Sequence, residues 1–477
     1  DVPPGHNIIG SRWVFKVKED GRFKGRVVAT GWSQRHGIDC GSTFAPVCRI
    51  ESQRLLLAIA AAHGWSVAAM DISTAFLIGK LSKKVYMRQA PGFETKDSQG
   101  RSLIMKLSRS IYGLRQSPKA WNVTIDKDLR TIGFLPTASD ACVYVKGSGD
   151  SYVMLTLYVD DLLNTGPNHN TVAKVRNILM EKSTMTDFGD ATRILRIEIF
   201  QDKKRSTISI TQAPYVLSLL DKYGMADCNL VHIPVIGNEL TAEPEGSVPL
   251  SKEDTIEYQR IVGSLISLCQ CTRFDICFAV SQAAGFMSKP TPVQMGADKR
   301  ILRYLRGKPN LHIIYICNSN FEFIGFWDAS YGTGNPKKAR STSGSMYFLS
   351  GGIVHFSTNI QKIAAQSTTE AELIAMSSCA KQGIYLCGIL GELGWRTLRS
   401  ARIFCDNKGA LFLAGQGSNS SRSKHLAIGF MGLRKWIIDK KLVIGHVSTK
   451  GQLSDILTKF LARLIFTELL NAIINRA

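Results

Sequence analysis

Hydrophobic and polar positions along the chain change their spacing from one stretch to the next. The segment RWVFKVKEDGRFKGRVVATGW alternates as a basic β-hairpin does, with a turn at residues 19–21. The Ala/Leu-rich segment SQRLLLAIAAAHGW predicts a helix, with Ser52 as a candidate N-cap and Gly64 at its end. Two short apolar runs in SYVMLTLYVDDLLNTG predict a buried hairpin around Asp160 and Asp161. The first part of the chain therefore mixes strands with helices.

A polar segment with Gly and Pro, residues 234–254, has the composition of a linker. Helical patterns follow it, and Ser251, three residues before Asp254, is a plausible helix cap. Near residue 321 the pattern becomes strand, hairpin, a long helix from Ser367 to about Leu393, and strand again. The sequence thus predicts three parts, residues 1–237, 238–320 and 321–477.

Composition and charge narrow the class of protein. A chain of 477 residues is too long for one core, and 44% hydrophobic with 20% charged residues is ordinary for a globular protein. The net charge of +21 matches a polyanion, and nucleic acid is the commonest one, although a basic enzyme of another class or a membrane-surface protein fits as well. The 11 cysteines form no CxxC pair, which favours reduced thiols in an intracellular compartment. No apolar run reaches about 18 residues, so we expect no membrane partner.

Acidic residues interrupt apolar runs in the first part of the chain. Asp160 and Asp161 lie side by side in the predicted hairpin, and Asp71 lies in the run AAMDISTAFLIG. Ionised carboxylates in apolar surroundings are costly unless a cation neutralises them. Mg²⁺ prefers such oxygen ligands, and nucleotidyl transfer needs carboxylates from separate strands around two metal ions. A lone Asp-Asp pair is more often a simple turn, so both interpretations stay open at this point.

Four further carboxylates lie at strand ends and helix starts in the last part of the chain. They are Asp328, Glu372, Asp406 and Asp455. In STTEAEL, Ser367 and Glu370 have the spacing of a capping box, which leaves Glu372 facing another side of the helix. Four carboxylates around two Mg²⁺ ions would suit metal-assisted hydrolysis. Each acid taken alone is more often a surface residue.

Several longer strings resemble copia-type long-terminal-repeat retrotransposon Pol polyproteins. They are MDISTAFLIGKLSKKVYMRQAPGFE, KLSRSIYGLRQSPKAWN, LTLYVDDLLNTG and TRFDICFAVSQAAGFMSKPT, in that order, followed by STSGSMYFLSGG, AAQSTTEAEL, IFCDNKGAL and SDILTK. The resemblance covers nearly the whole chain. It implies an α+β fold: a right-hand polymerase, then a helical connection, then a ribonuclease H-like α/β domain. The three predicted parts become reverse transcriptase fingers and palm (1–237), thumb and connection helices (238–320), and the ribonuclease H-like domain (321–477).

The same resemblance implies a role for each candidate residue. Asp71, Asp160 and Asp161 become the catalytic metal ligands of the polymerase, and Asp328, Glu372, Asp406 and Asp455 become those of the ribonuclease H, with two Mg²⁺ or Mn²⁺ ions in each site. The residues expected to contact the nucleotide are Lys16, Arg26, Phe76, Gln116 and Tyr158, with Phe76 excluding a 2′-hydroxyl. For Lys16 and Arg26 a solvated basic hairpin is an equal alternative, and a lone Phe76 is more often part of a core. His425 is a possible substrate contact.

The resemblance implies a reverse transcriptase with ribonuclease H activity. The expected substrates are an RNA template, a DNA primer, the RNA–DNA hybrid and deoxynucleoside triphosphates. The expected partners are the capsid protein and integrase of the same polyprotein, and the expected location is a cytoplasmic virus-like particle, with nuclear entry of the cDNA complex. The alternative is a catalytically weak nucleic-acid-binding remnant.

Some positions depart from the family pattern and bear on this alternative. Arg196 replaces a Gly, Thr186 a frequent Lys, Ala427 an Asp and Met431 a second His. If the turn at Arg196 requires a positive φ, an Arg there is strained. None of these changes removes a predicted metal ligand.

Overall fold

The computed structural model describes residues 2–17, 21–182, 185–237, 240, 246–317, 321–333, 340–395, 400–416 and 431–476. By its internal contacts the chain divides into two compact units. Unit 1 holds residues 1–48, 68–164 and 168–189, and unit 2 holds residues 49–67, 165–167 and 190–477. The predicted three-part division stays a prediction. The fold is α+β, as expected.

The helices are α1 (Ile50–Ala62), α2 (Ala75–Ile78), α3 (Ser117–Thr131), α4 (His169–Lys182), α5 (Ala213–Lys222), α6 (Lys252–Cys271), α7 (Cys277–Ala284), α8 (Pro292–Gly307), α9 (Thr368–Glu392), α10 (Lys408–Gln416), α11 (Met431–Ile438) and α12 (Arg463–Ile474). The strands are β1 (Ile8–Ile9), β2 (Ser11–Val17), β3 (Phe23–Ala29), β4 (Val67–Ile72), β5 (Lys80–Arg88), β6 (Ile104–Arg109), β7 (Leu135–Pro136), β8 (Val143–Lys146), β9 (Val153–Tyr158), β10 (Asp161–Thr165), β11 (Met185–Asp190), β12 (Arg193–Ile194), β13 (Ile197–Asp202), β14 (Thr207–Thr211), β15 (Ile313–Ile316), β16 (Ile324–Ser330), β17 (Thr342–Leu349), β18 (Gly352–Ile360), β19 (Ala401–Cys405) and β20 (Leu442–His446).

Unit 1 is built on a six-stranded sheet with the order β11-β4-β10-β9-β8-β7. The predicted hairpins β2–β3 and β9–β10 are confirmed. Helix α3 begins with Pro118 in its first turn, and its buried Trp121, Ile125 and Leu129 recur every four residues. These side chains pack with apolar residues of β4, β9 and β10 in one core. This core fixes the strands that carry the first group of acids.

Unit 2 contains a five-stranded sheet with the order β18-β17-β16-β19-β20. Strands β16, β17 and β18 are antiparallel neighbours, while β16–β19 and β19–β20 are parallel pairs. The β17–β18 turn uses Ser350 and Gly351, both with positive φ, as a tight hairpin requires. Helix α9 packs against β16, β17 and β19. The central strand β16 therefore lies between the hairpin and the parallel pair.

Helix α1 packs within unit 2, against β14, β15, β17 and β18. The guanidinium of Arg54 donates to the carbonyl oxygens of Gln270 (2.7 Å) and Cys271, which end α6 and have no partner inside that helix. The helix begins at Ile50 with Arg49 at the N-cap position, so the predicted N-cap Ser52 was wrong by three residues. Gly64, with a φ of 66°, ends it as predicted.

Among the described residues, one helix is long and apolar enough to cross a membrane, and it is α9. Over half of its most apolar window, 56%, is buried inside the protein. Its apolar surface covers the sheet of unit 2, as a core helix does.

Two candidate metal centres

The turn between β9 and β10 carries the first group of acids. Only Val159 and Asp160 separate the two strands, and Val159 has a φ of 58°, which a β-branched residue rarely adopts. Two hydrogen bonds hold this turn: Trp121 Nε1 donates to the Val159 oxygen at 2.7 Å, and the backbone N–H of Ile72 donates to the Asp160 oxygen at 2.9 Å. The second bond sets the end of β4, and with it Asp71, beside the Asp160 pair.

The carboxylates of this first cluster, Asp71, Asp160 and Asp161, interact electrostatically. Burial first, and then the charges of Asp160 and Asp71, raise the pKa of Asp161 to about 6. Burial and the charge of Asp160 also raise the pKa of Asp71, while Lys24 opposes this rise. The predicted convergence of Asp71 on the pair is therefore present. Because the three carboxylates repel one another in a partly buried site, binding of a cation between them is favourable.

Basic residues of the β2–β3 hairpin share one face. Lys16 lies opposite Lys24, and Arg26 follows Lys24 by two residues, so all three side chains point to the same side. The Arg26 guanidinium lies 5.1 Å from the ring centroid of Tyr112. The sequence pattern did not lead us to predict a role for Lys24. Its position opposite Lys16 in the predicted hairpin would have indicated one.

Phe76, Gln116 and Tyr158, the residues expected to contact the nucleotide, all lie in unit 1. The ring of Phe76 meets Tyr112 edge-on at 5.1 Å and packs against the core, so its contacts also fit a core role. Gln116 is buried, and its amide accepts from Gln34 Nε2 at 3.0 Å and donates to the oxygen of Asp39 at 3.1 Å. Tyr158 ends β9, half-buried. The nucleotide contacts of these residues stay predictions.

The second group of acids converges in unit 2. The ligand oxygens of Asp328, Glu372 and Asp406 all lie within 4.8 Å of one another, the only such triplet among the described residues. Asp328 comes from β16, Glu372 from the second turn of α9, and Asp406 directly follows β19. The parallel pairing of β16 with β19 and the packing of α9 on both strands bring them together. We call these three residues with Asp455 the second cluster.

Burial and repulsion dominate the electrostatics of the second cluster. Asp328, Glu372 and Asp455 are 1%, 5% and 6% exposed. Burial, and then the charge of Asp328, raises the pKa of Glu372 and also that of Asp455. Glu372 Oε2 has no hydrogen-bond partner among the described residues. A buried carboxylate oxygen without a donor is costly, and a metal ion would satisfy it.

Lys459, which the sequence analysis missed, supplies a positive charge to this cluster. Its Nζ lies 2.7 Å from Asp455 Oδ1 and 3.1 Å from Asp328 Oδ1. Burial lowers the pKa of Lys459, but the two carboxylates outweigh it and raise the pKa overall. Thr458 also donates to Asp328 through Oγ1. The spacing of four residues between Asp455 and Lys459 was the available signal.

Two local expectations around the second cluster need correction. Asp455, expected near the start of the helix that ends the chain, lies instead in a short 3₁₀ helix, Leu453–Leu457, that precedes the final helix α12. The N-cap Ser367 accepts from the Glu370 N–H as predicted, at 3.1 Å. The carboxylate of Glu370, however, accepts from the N–H of Gln366 at 2.6 Å, so it does not reach back to Ser367 itself. Glu370 still acts at the helix start, and Glu372 still faces the acids.

Both clusters fit divalent cations. Each offers carboxylate oxygens from separate elements, the ligands that Mg²⁺ prefers. Each also contains a carboxyl whose pKa is raised by burial and then by neighbouring negative charge. In the second cluster, Glu372 Oε2 has no hydrogen-bond partner among the described residues, and oxygens of Asp328, Glu372 and Asp406 already lie within 4.8 Å of one another. The second cluster is therefore the better preformed of the two metal sites.

The positions that depart from the family pattern are not among the acids of either cluster. The β12–β13 turn places its positive φ, 56°, on Leu195 and not on Arg196, so the condition under which Arg196 would be strained is not met. The guanidinium of Arg196 lies over the ring of Tyr215 at 4.7 Å. Thr186 is exposed on β11. His425, Ala427 and the side chain of Met431 lie outside the described residues.

Comparisons with known proteins support the resemblance seen in the sequence. Residues 1–237 match the family model described as reverse transcriptase (RNA-dependent DNA polymerase). The chain is 36% identical to the retrovirus-related Pol polyprotein from transposon RE1 of Arabidopsis thaliana, over 97% of this chain and 31% of that polyprotein. It is 32% identical to the Pol polyprotein from transposon TNT 1-94 of Nicotiana tabacum, over 97% of this chain and 35% of that one.

The chain spans about a third of the length of these curated relatives. Among solved structures, a foamy viral protease-reverse transcriptase in complex with dsDNA is similar, with a TM-score of 0.49 and 13% identity, over 92% of this chain and 78% of that one. The family model and the high-coverage relatives agree with the order of the motifs. The chain therefore belongs to the family of Pol polyproteins from copia-type retrotransposons, with its reverse transcriptase segment at residues 1–237.

Proposed function

We propose that this chain is an RNA-directed DNA polymerase with ribonuclease H activity. It copies retrotransposon RNA into DNA at the first cluster and hydrolyses the RNA strand of the hybrid at the second. The observation that carries the proposal is the presence of two separate carboxylate clusters, each assembled from residues distant in sequence and each in its own unit.

In the polymerase, Asp71, Asp160 and Asp161 would hold divalent cations, Mg²⁺ or Mn²⁺. In the ribonuclease H, Asp328, Glu372, Asp406 and Asp455 would do so. Bound in pairs, such cations activate an oxygen nucleophile and stabilise the leaving oxygen of an in-line displacement. The raised pKa values of Asp161 and Glu372 mean that binding a cation releases protons from the clusters.

The residues around the first cluster would position the substrates. Lys16, Lys24 and Arg26 share one face of the hairpin, and the charge of Lys24 acts on Asp71, which suits this face to a triphosphate that carries negative charge. Phe76 would exclude a 2′-hydroxyl, and Gln116, fixed by its two hydrogen bonds, would contact the base pair being formed. Tyr158 would contact the nucleotide from the end of β9.

The proposed substrates are an RNA template, a DNA primer, their hybrid and deoxynucleoside triphosphates. The net charge of +21 supports a nucleic-acid partner. The polyprotein context supports capsid protein and integrase as partners, with a cytoplasmic virus-like particle as the location.

Primer extension and hybrid cleavage test the proposal. On poly(rA) annealed to oligo(dT) with Mg²⁺, the chain should add deoxythymidine, and Asp160→Asn should abolish this. On a labelled RNA–DNA hybrid it should cut the RNA, and Asp406→Asn should abolish that activity alone. Hybrid binding without either activity would reject the enzyme and favour a nucleic-acid-binding remnant.

A further inference from the structure

Helix α1 lies in the segment that matches the reverse transcriptase family, yet it packs on the sheet that carries the second cluster. Residues 49–67 and that sheet belong to the same compact unit, unit 2. The helix contacts the hairpin formed by β17 and β18, and β17 borders the central strand β16. Two charged side chains of α1, Glu51 and Arg54, bond to this hairpin.

His355 of β18 joins α1 to β17 through both nitrogens of its ring. Its Nδ1 lies 3.1 Å from Glu51 Oε1, and its Nε2 lies 3.3 Å from Ser345 Oγ. Ser345 directly follows Gly344 on β17, and its Oγ lies 2.9 Å from Ser357 Oγ on β18. His355 and Ser345 are only 6% and 4% exposed, so water competes little for these bonds.

The carboxylate of Glu51 determines which nitrogen of His355 carries the proton. Burial lowers the pKa of His355 more than the bond to Glu51 raises it, so the ring is neutral at neutral pH. Burial raises the pKa of Glu51, but the hydrogen bond to His355 and neighbouring positive charge, that of Arg54 included, outweigh this effect and lower it. Because an ionised carboxylate only accepts, Nδ1 donates to Glu51 and Nε2 accepts from the Ser345 hydroxyl.

Arg54, three residues after Glu51, anchors the helix on the same strand. Its guanidinium donates at 3.5 Å to the oxygen of Val354, the residue before His355. The same guanidinium lies over the ring of Phe356, the residue after His355, with 4.4 Å between its Cζ and the ring centroid. The backbone on both sides of His355 is therefore held against α1.

The β17–β18 hairpin contacts the elements that carry two acids of the second cluster. On β17, Gly344 is the register partner of Asp328. On β18, Thr358 Oγ1 donates at 2.9 Å to the oxygen of Leu457, which ends the 3₁₀ helix that carries Asp455. Any Cβ at position 344 would lie 2.9 Å from the Leu457 Cβ, so the glycine permits this helix to approach β17. The hairpin thus separates Asp328 from Asp455 by a fixed distance.

We propose that Glu51 is a positioning residue for the second cluster. Acting through His355 and the hairpin, it sets the placement of Asp328 relative to Asp455, and with it the affinity of the cluster for divalent cations. The inference rests on the proposed function, since it takes the second cluster to be a metal site. Loss of a group that orients metal ligands commonly lowers metal affinity by about 10- to 100-fold, and Glu51, which acts through the hairpin, belongs at the lower end.

Two substitutions of Glu51 separate its hydrogen bond from its charge. In Glu51→Gln an amide oxygen still accepts from His355 Nδ1, whereas Glu51→Met offers no acceptor. We expect the Mn²⁺ affinity of the full chain, measured by calorimetry, to fall about tenfold in Glu51→Met and less than about twofold in Glu51→Gln. His355→Leu breaks the same link from its other side and should act as Glu51→Met does. All these chains carry Asp160→Asn and Asp161→Asn, so that the first cluster does not contribute.

A matched control distinguishes positioning from loss of stability. Leu219→Ala removes a buried side chain of unit 2 on α5, outside both α1 and the hairpin. It should lower the melting temperature and leave the Mn²⁺ affinity unchanged. With the first cluster intact, Glu51→Met should raise the Mg²⁺ concentration for half-maximal RNA cleavage by about tenfold and leave the KM for the hybrid unchanged.

The ¹⁵N chemical shifts of His355, assigned with His355→Leu, test the first link directly. They should show a protonated Nδ1 and an unprotonated Nε2 in the wild-type chain and in Glu51→Gln, and a mixture of the two neutral tautomers in Glu51→Met. A protonated Nε2 in the wild-type chain would contradict the assigned direction of these bonds and overturn the inference.

The metal titrations also separate this inference from the proposed function. If Glu51→Met lowered the melting temperature as Leu219→Ala does but left the Mn²⁺ affinity unchanged, Glu51 would be a packing contact and the inference would fall. Asp406→Asn tests the metal site itself. If Asp406→Asn also left the Mn²⁺ affinity unchanged, the second cluster would bind no metal, and the proposed ribonuclease H would fall together with this inference.

Discussion

The two acidic clusters are held in place by different means. In the first cluster, the backbone does most of the positioning: Asp160 lies in a two-residue turn, Val159 has a φ of 58°, and hydrogen bonds to main-chain oxygens fix that turn. In the second cluster, side-chain burial does it: Asp328 and Glu372 come from a central strand and a core helix. An ammonium group, that of Lys459, is bonded directly to two of its acids.

The two clusters therefore compensate their negative charge in different ways. The first is only partly buried, so water and the basic hairpin share in screening it, and Asp161 has a pKa of about 6. The second has three deeply buried acids, Asp328, Glu372 and Asp455, whose charge is balanced in part by Lys459 and by the raised pKa of Glu372. The second cluster should therefore be the more sensitive to single charge changes.

Substitution of a single metal-ligand carboxylate should abolish one activity and leave the other. Glu372→Gln keeps the side-chain shape but removes a ligand charge, so RNA cleavage should fall at least about a thousandfold while primer extension changes less than about twofold. Asp161→Asn should give the reverse pattern. Both activities are measured by gel assay on the same preparations. If either variant lost both activities while remaining folded, the clusters would not act separately.

Removal of the lysine from the second cluster should cost stability. In Lys459→Met, Asp328 and Asp455 lose their bonded cation, and the free energy of unfolding should fall by about 2 to 3 kcal/mol, since this ammonium is 31% exposed. Divalent metal should restore part of the loss. The control Lys450→Met, at an exposed position, should change stability by less than about 0.5 kcal/mol in urea titrations. Equal stability of the two variants would contradict the role of Lys459.

Asp298, a buried carboxyl outside both clusters, separates the effect of burial from that of metal binding. Both oxygens of Asp298 on α8 lack hydrogen-bond partners among the described residues, and burial raises its pKa well above the ordinary 3.8. Because the folded-state pKa is raised, its contribution to stability is full below about pH 3.8 and is lost as pH rises toward the folded-state pKa. Asp298→Asn should flatten this pH dependence and add about 1 to 2 kcal/mol at pH 7.

Urea titrations across the pH range measure this change, with Asp439→Asn as the exposed control. Added Mg²⁺ should leave the difference between Asp298→Asn and the wild-type chain unchanged, because Asp298 is not part of either cluster. A steep pH dependence that persists in Asp298→Asn without metal would assign it to the second cluster instead.

The smallest expected effect concerns the strained turn of the first cluster. Val159→Gly relieves a positive φ but adds freedom to the unfolded chain, so the free energy of unfolding should rise by about 0.5 kcal/mol. Val143→Gly, in a strand with ordinary φ, should instead destabilise the protein. If both changes destabilised equally, the turn would not be strained.

The sequence predicted the elements that carry the acids because their local patterns are strong. Apolar runs around Asp71 and Asp160, and a cap three residues before Glu370, define strands and a helix start by themselves. The missed contacts depend on long-range packing. Lys459 has a visible partner four residues away, but its contact with Asp328 joins a 3₁₀ helix to a strand that is 131 residues distant.

Backbone detail was also beyond the sequence pattern. The β12–β13 turn could place its positive φ on either of two residues, and side-chain identity drew attention to Arg196 although Leu195 adopts it. Similarly, the composition of α1 predicts a helix but not its packing against β14, β15, β17 and β18. Periodicity identifies an element, while its partners follow from the whole fold.

The most direct test of the account is to locate bound Mn²⁺ by anomalous diffraction in crystals of the full chain with template–primer and a non-hydrolysable deoxynucleotide. The account predicts anomalous peaks coordinated by Asp71, Asp160 and Asp161, and others coordinated by Asp328, Glu372, Asp406 and Asp455. Strong peaks elsewhere, with none at one of these two groups of carboxylates, would contradict it.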